Sequence, residues 1–246
     1  MRLIKINATN STNSFLKELA QNSSLEEYTI AVANTQTSGR GQMSNSWISE
    51  PYKNLTFSIF TPLTKLKIKH QAYLNFAVSL AIYDTLLSYN VPKLSIKWPN
   101  DIMSAEKKIC GILIETTFSH LEIKNTIIGI GLNVNQEKFP KKLFNASSLK
   151  NILKKEIDLE PLMNTIVEKI KYRISSIESG KFSKTHEEYH EALYKRGIPT
   201  AFIDKKTKLL FMGIITGVSS IGNLQIQLED DTIVKYGLKE ISFAKV

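Results

Sequence analysis

Four short segments carry residue types suited to handling anions. Residues 36–49 read Gln-Thr-Ser-Gly-Arg-Gly-Gln-Met-Ser-Asn-Ser-Trp-Ile-Ser. Gly39 and Gly41 flank Arg40 in a polar stretch that reads as a loop. Glycine lets backbone come close to a ligand, and successive N–H groups can cradle an anion. The forked guanidinium suits carboxylate and phosphate oxygens. Trp47 offers a flat apolar face for a ring. By itself the stretch is equally a surface loop with two turn glycines.

The second segment, Lys97-Trp98-Pro99-Asn100-Asp101, sets an ammonium, an amide and a carboxylate beside a rigid turn. In the third, Lys108-Ile109-Cys110-Gly111-Ile112-Leu113-Ile114-Glu115, a hairpin would return Lys108 to the neighbourhood of Lys97 and Asp101. Two lysines at one point make sense if the point carries phosphates. Gly111 inside a strand permits close approach by a ligand, and Cys110 packs as a small apolar residue. The fourth, Gly129-Ile130-Gly131-Leu132-Asn133-Val134-Asn135, joins two glycines to two amides that suit recognition of a nucleotide. A fifth motif points elsewhere. His186-Glu187-Glu188-Tyr189-His190 matches the H-E-x-x-H pattern of zinc peptidases, yet its helix reads as polar and exposed, and His70 and His120 lie in no third-ligand position.

The elements that must position these segments alternate between strand and helix periodicity. Helices are expected at 11–21, 69–89, 147–155, 161–178 and 183–195, with Gly180 closing the fourth. Strands are expected at 28–34, 54–61, 94–97, 101–104, 109–117 and 121–132, with a turn around Ser119-His120. The character changes near Gly197-Ile198-Pro199. Beyond it only short β segments appear, at 200–204, 209–218, 224–229 and 232–236. The reading is an α+β protein: a mixed sheet flanked by helices over 1–196, and a small C-terminal β-barrel over 197–246.

The 246 residues are 42% hydrophobic and 22% charged, ordinary for a globular chain. The net charge of +9 favours acidic partners. The lysines are scattered, without the interleaved aromatics of a nucleic-acid stacking platform, so a lysine-rich solvated surface is the simpler account and no DNA partner is expected. No membrane span, no signal peptide and, with one cysteine, no internal disulfide are expected, which reads as a cytoplasmic protein.

Taken together, Ser11-Thr12-Asn13, Gln36 with Gly39-Arg40-Gly41, Trp47, KWPND at 97–101, Lys108 before GILIE at 111–115, and GIGLNVN at 129–135 resemble the bacterial biotin–protein ligases in order and spacing. The resemblance covers essentially the whole chain and implies an SH3-like C-terminal barrel. It implies ATP-dependent activation of biotin to biotinyl-AMP with Mg²⁺, then transfer to a lysine of a biotin carboxyl carrier protein. It assigns Ser11, Thr12, Asn13 and Gln36 to the ureido end of biotin, and Gly39, Arg40, Gly41 and Gln42 to the loop over biotin and adenylate. Lys108 would contact the biotin carboxylate and the reacting phosphate, Lys97 phosphate. Gly111 and Ile112 would line the biotin channel, Trp47 and Asn133 would face the adenylate, and Asn100 and Asp101 would organise the turn. Arg40, Lys97 and Lys108 are thus the candidate catalytic groups. The metal ligands are unassigned, and a homodimer is compatible with the resemblance.

Two departures stand out. Many relatives carry Gly-Arg-Gly-Arg-Arg-Gly, whereas this loop reads Gly39-Arg40-Gly41-Gln42-Met43-Ser44, which bears on how tightly it closes over the adenylate. The chain also starts ten residues before Ser11, so the expected form lacks the N-terminal DNA-binding domain that makes some relatives repressors. A lipoate–protein ligase would share the chemistry, but the GRG and KWPND segments match the biotin branch better.

Overall fold

The computed structural model describes residues 2–42, 45–63, 65–119 and 122–244. Its main body is a seven-stranded mixed sheet in the order β1-β2-β3-β7-β6-β5-β4. The strands are β1 (Leu3–Thr9), β2 (Thr29–Gln36), β3 (Leu55–Pro62), β4 (Leu94–Lys97), β5 (Asp101–Ser104), β6 (Lys107–Ser119) and β7 (Glu122–Leu132). β1 and β2 run parallel. The other pairs are antiparallel. His120, expected in a turn, and Met43 and Ser44 of the expected loop lie outside the described residues.

The helices are α1 (Thr12–Asn22), α2 (Gln71–Ser88), α3 (Leu149–Leu153), α4 (Leu159–Glu178) and α5 (Phe182–Glu191). α2 is apolar almost all round and is buried accordingly, from Tyr73 to Leu86. α4 turns the stripe Leu162, Met163, Ile166, Val167, Ile170, Ile174 and Ile177 inward; Asp158 caps its start and Gly180, at φ +84°, follows its end. These helices and one sheet face enclose the main core. α1 covers part of the opposite face, packing Leu16 on Ala31, Phe60 and Ile127. The rest of that face is left open beside α1.

Residues 199–243 form a second, wholly antiparallel sheet in the order β11-β10-β9-β8-β12. Its strands are β8 (Pro199–Asp204), β9 (Leu210–Val218), β10 (Leu224–Gln227), β11 (Ile233–Tyr236) and β12 (Ile241–Phe243). Among the described residues β11 and β12 do not pair, so this is a small sheet with two edges.

Three elements differ from the sequence reading. β1 and β12 carry no strong alternation and go unassigned there; each gains its place by pairing with a neighbour, β2 or β8. α5 is not an exposed helix. Thr185 and Tyr189 are buried, and the His186 and His190 Nε2 atoms lie 2.6 and 2.9 Å from the Val218 carbonyl oxygen at the end of β9. A strand end needs partners for its backbone groups, and here histidines supply them. Composition hides this, because histidine is read as polar.

Candidate active site

Register across the open face lays out the site in rows. Thr56, Gly131, Gly111, Asp101 and Lys97 are successive partners on β3, β7, β6, β5 and β4. The next row is Ala31, Ser58, Gly129 and Leu113, and the third is Thr29, Phe60, Ile127 and Glu115. Side chains alternate across a strand, so every residue in these rows belongs to one face. Three of them are glycines, and the bare backbone they leave is the floor of a cavity of about 240 Å³.

Lys108 reaches this face through an irregularity. Strict alternation would turn it away from Gly111 and into the core. The pairing shifts between Ile102 and Met103, so Lys107 to Gly111 spans one residue more than its partner strand. A bulge of this kind re-aims a side chain. Ile109 takes the core position, and Lys108 Nζ lies 2.6 Å from Asp101 Oδ1. The Lys108 backbone pairs instead with the 145–147 segment. Beside it, Asn100 Nδ2 donates to the Ile112 carbonyl at 2.6 Å, fixing the turn to β6.

The loop folds back on itself. Trp47 N–H donates to the Gly39 carbonyl at 2.8 Å and Gly41 N–H to the Asn45 carbonyl at 2.7 Å. This lays the indole on the glycine floor. A Cβ at Gly131 would stand 2.4 Å from Trp47 Cε2, and one at Gly39 would stand 2.4 Å from the Trp47 carbonyl oxygen. Lys108 Nζ sits 5.7 Å from the indole centroid. The buried indole N–H finds no hydrogen-bond partner among the described residues.

At the other end lie short polar side chains. Gln36 Oε1 accepts from Thr12 N–H at 2.8 Å and stands 3.2 Å from Thr12 Oγ1. Ser58 Oγ is 2.7 Å from Thr12 Oγ1 and 2.6 Å from Asn13 Oδ1. Asn13 Nδ2 donates to Glu115 Oε2 at 2.8 Å. Glu115 in turn holds Arg40 through both guanidinium nitrogens, at 2.9 and 3.3 Å. Ser11 starts α1 without using its hydroxyl as a cap, and stays buried against the cavity.

Ser11, Thr12, Asn13, Gln36, Arg40, Gly41, Gln42, Trp47, Asn100, Asp101, Lys108, Gly111 and Ile112 therefore converge on one cavity. Gly39 lies just beneath it, under Trp47. Two other residues that the resemblance assigns to the nucleotide do not line it. Asn133 is buried and donates to the Ser147 carbonyl at 3.0 Å. Lys97 ends the first row on the edge strand, where Nζ lies 4.4 Å from the Phe243 ring centroid, on the C-terminal sheet. Burial pushes its pKa down; Asp101 opposes this, while Lys108 and Lys195 add to it. Ser58 and Glu115 are participants to which the sequence reading assigns no role, although Glu115 ends its GILIE segment. A lone serine in the apolar strand LTFSIFT is a signal for the first; nothing but register reveals the second. Cys110 is fully buried, and burial pushes its thiol far up, away from thiolate chemistry.

One end of the cavity thus offers neutral donors and acceptors, with Arg40 held beside them by Glu115, and the other offers Lys108 on Asp101. Such a site accepts a polar uncharged ring with an anionic tail, and brings that tail to further anions. The His186/His190 pair is remote in role: among the described residues no group of three metal-binding side chains forms. The Biotin/lipoate A/B protein ligase family matches residues 6–133. The bifunctional ligase/repressor BirA of Bacillus subtilis is 28% identical over 99% of this chain and 73% of its own length. The biotin–[acetyl-CoA-carboxylase] ligase of Mycobacterium tuberculosis is 28% identical over 52% of this chain and 47% of its own. A biotin protein ligase from Aquifex aeolicus, solved with biotin and ATP, superposes with a TM-score of 0.83 at 25% identity, covering 100% of this chain and 99% of that one.

Proposed function

The chain belongs to the Biotin/lipoate A/B protein ligase family, and from that premise we infer that it is an ATP-dependent biotin–protein ligase. It forms biotinyl-AMP and passes the biotinyl group to a lysine of a carrier protein. The observation that carries this reading is the two-ended cavity, in which the short polar side chains of α1 and Gln36 at one end and the Lys108–Asp101 pair at the other share one glycine floor, with Arg40 on the loop beside the polar end. In this reading residues 1–196 are the catalytic body, 197–246 are the appended small domain, and the enzyme acts in the cytoplasm.

In this reading Ser11, Thr12, Asn13 and Gln36 meet the ureido ring, and the valeryl chain runs over Gly111 and Ile112. Its carboxylate then lies by Lys108 and Arg40. The first step is attack of that carboxylate on the α-phosphorus of ATP, expelling pyrophosphate. Two anions must be brought together, and Arg40 and Lys108 offset their repulsion. Lys97 adds positive charge from the rim. No enzyme nucleophile is needed; positioning and electrostatics suffice. Trp47 and the loop shield the mixed anhydride from water. In the second step the carrier lysine attacks the acyl carbon and AMP leaves.

Asp101 is the one carboxylate among the described residues lining the cavity. That suits Mg²⁺, which is held by one or two carboxylates together with substrate phosphates. When bound it would neutralise charge on the phosphates. The test is incubation with biotin, ATP, MgCl₂ and a purified acceptor domain, followed by mass spectrometry. One biotinyl group on one lysine is expected. Formation of adenylate with no transfer to any acceptor lysine would contradict the second half of the reaction.

A further inference from the structure

We propose that Glu115 is a positioning residue that holds the Asn13 amide in its orientation at the ring-recognition end and ties it to the loop arginine. The proposal rests on the biotin-ligase reading and adds a residue to it. Glu115 does not line the cavity; it stands behind Asn13 on β6, in the third row of the open face. β5 stops pairing with β6 at Gly111, so Glu115 sits where β6 has a free edge and room for a side chain to turn toward the loop.

The chain of polarity follows from donor counting. An ionised carboxylate only accepts. Asn13 must therefore present its NH₂ group to Glu115, which it does at 2.8 Å, and this leaves Oδ1 facing Ser58. Asn13 Nδ2 also donates to the Leu113 carbonyl at 3.3 Å, a longer contact that holds the same orientation, so Glu115 supplies the shorter and charged of the two bonds that keep the amide from flipping. With Oδ1 as acceptor, the single Ser58 hydroxyl proton goes to Asn13 at 2.6 Å. The Thr12 hydroxyl, 2.7 Å from Ser58 Oγ, donates to Gln36 Oε1 at 3.2 Å. Gln36 Oε1 takes the Thr12 N–H at 2.8 Å, which leaves the Gln36 NH₂ group as a donor at the cavity end. The charge outside the cavity thus acts on Asn13 and, through it, on the Ser58 hydroxyl, while the Thr12 backbone N–H orients the Gln36 amide.

The same carboxylate grips both guanidinium nitrogens of Arg40, and Arg40 NH1 also donates to Ser14 Oγ at 3.3 Å. Helix α1, the loop and β6 meet at this one group. Replacing Glu115 by Gln keeps the shape but supplies a donor. Asn13 then keeps only the longer bond to the Leu113 carbonyl to orient its amide, and Arg40 loses its counter-charge.

The test is calorimetric titration of biotin, without ATP, into wild-type protein, E115Q, E115D, N13A and N13A/E115Q. Wild-type protein binds biotin if the functional reading holds; failure there removes that reading and the inference with it. Given binding, E115Q is expected to weaken it by roughly tenfold or more, the scale of one lost hydrogen bond to a charged group. E115D, which keeps the charge on a shorter arm, is expected to recover part of that loss. Adding E115Q to N13A is expected to cost less than about twofold, because coupled residues are not additive. Unchanged binding in E115Q, or losses in N13A and E115Q that multiply, overturns the proposal while leaving the ligase assignment intact. Should E115Q fail to fold, E115D decides: biotin affinity equal to that of the wild type overturns the proposal, and weakened affinity with an unchanged thermal midpoint supports it.

Discussion

Lys108 and Asp101 form the closest charged pair in the cavity, at 2.6 Å. Lys108 is the group best placed to move from this carboxylate to an incoming phosphate. Lys108→Ala is therefore expected to slow adenylate formation far more than transfer from supplied biotinyl-AMP. A charged hydrogen bond contributes roughly 1.5–3 kcal/mol, so the first step should slow by at least about tenfold. Lys108→Arg should restore only part, since a planar fork does not replace a compact ammonium. Single-turnover assays separate the steps: biotin plus ATP for one, pre-made adenylate plus carrier for the other. Equal losses in both would mean that Lys108 serves the adenylate state common to both. The closeness of Lys108 to Asp101 is legible from the hairpin in the sequence. Its face is not, because that depends on a one-residue slip between β5 and β6. Glu115 shows the same limit: it ends the GILIE segment, but its role is not legible until register sets it beside Asn13 and Arg40.

At the scale of elements, the glycines of β6 and β7 act together. Gly111 and Gly131 are direct partners, and Trp47 can lie flat on the sheet only because Gly131 has no side chain. Gly131→Ala should displace the indole by overpacking, at a cost of about 1–3 kcal/mol. The expected result is a larger rise in KM for ATP than for biotin, read by steady-state pyrophosphate release. An equal rise for both would mean that the whole floor has shifted. The helix α5 gives a second expectation. Burial holds the His190 pKa below its ordinary 6.5, the Val218 backbone contact opposes this, and His186 and Arg196 push the same way as burial. The folded state then disfavours the proton. Its contribution to stability is whole above pH 6.5 and is lost as pH falls through the folded-state pKa. The thermal midpoint should drop on acidification below this point, and His190→Asn should flatten that part of the curve. His70, also held low by burial, then by Lys69 and Lys67, adds to the same slope. A midpoint with the same pH dependence in His190→Asn and wild type would show that the junction does not titrate. Most long elements are legible from periodicity: α2, α4, β3, β6 and β7 carry strong apolar patterns. β1 and β12 are short and patterned weakly, and α5 is anchored by histidines that composition counts as polar.

For the whole molecule, the KWPND turn is where the two sheets meet. Asn100 and Asp101 face the cavity, while Trp98 Nε1–H donates to the Gly222 carbonyl at 2.9 Å and Lys97 lies over Phe243. The KWPND turn is thus held from behind by the C-terminal sheet, in addition to the α5 histidines on Val218. The sequence shows the change of character near Gly197 but not this joint, since no periodicity records a contact between residues 98 and 222. The central claim is that this assembly activates biotin in particular. Isotope exchange between pyrophosphate and ATP, run with Mg²⁺ and with biotin or lipoate supplied separately, tests it without any carrier protein. The account predicts exchange that depends on biotin and is absent with lipoate. Equal exchange with lipoate, or exchange indifferent to biotin, would contradict it.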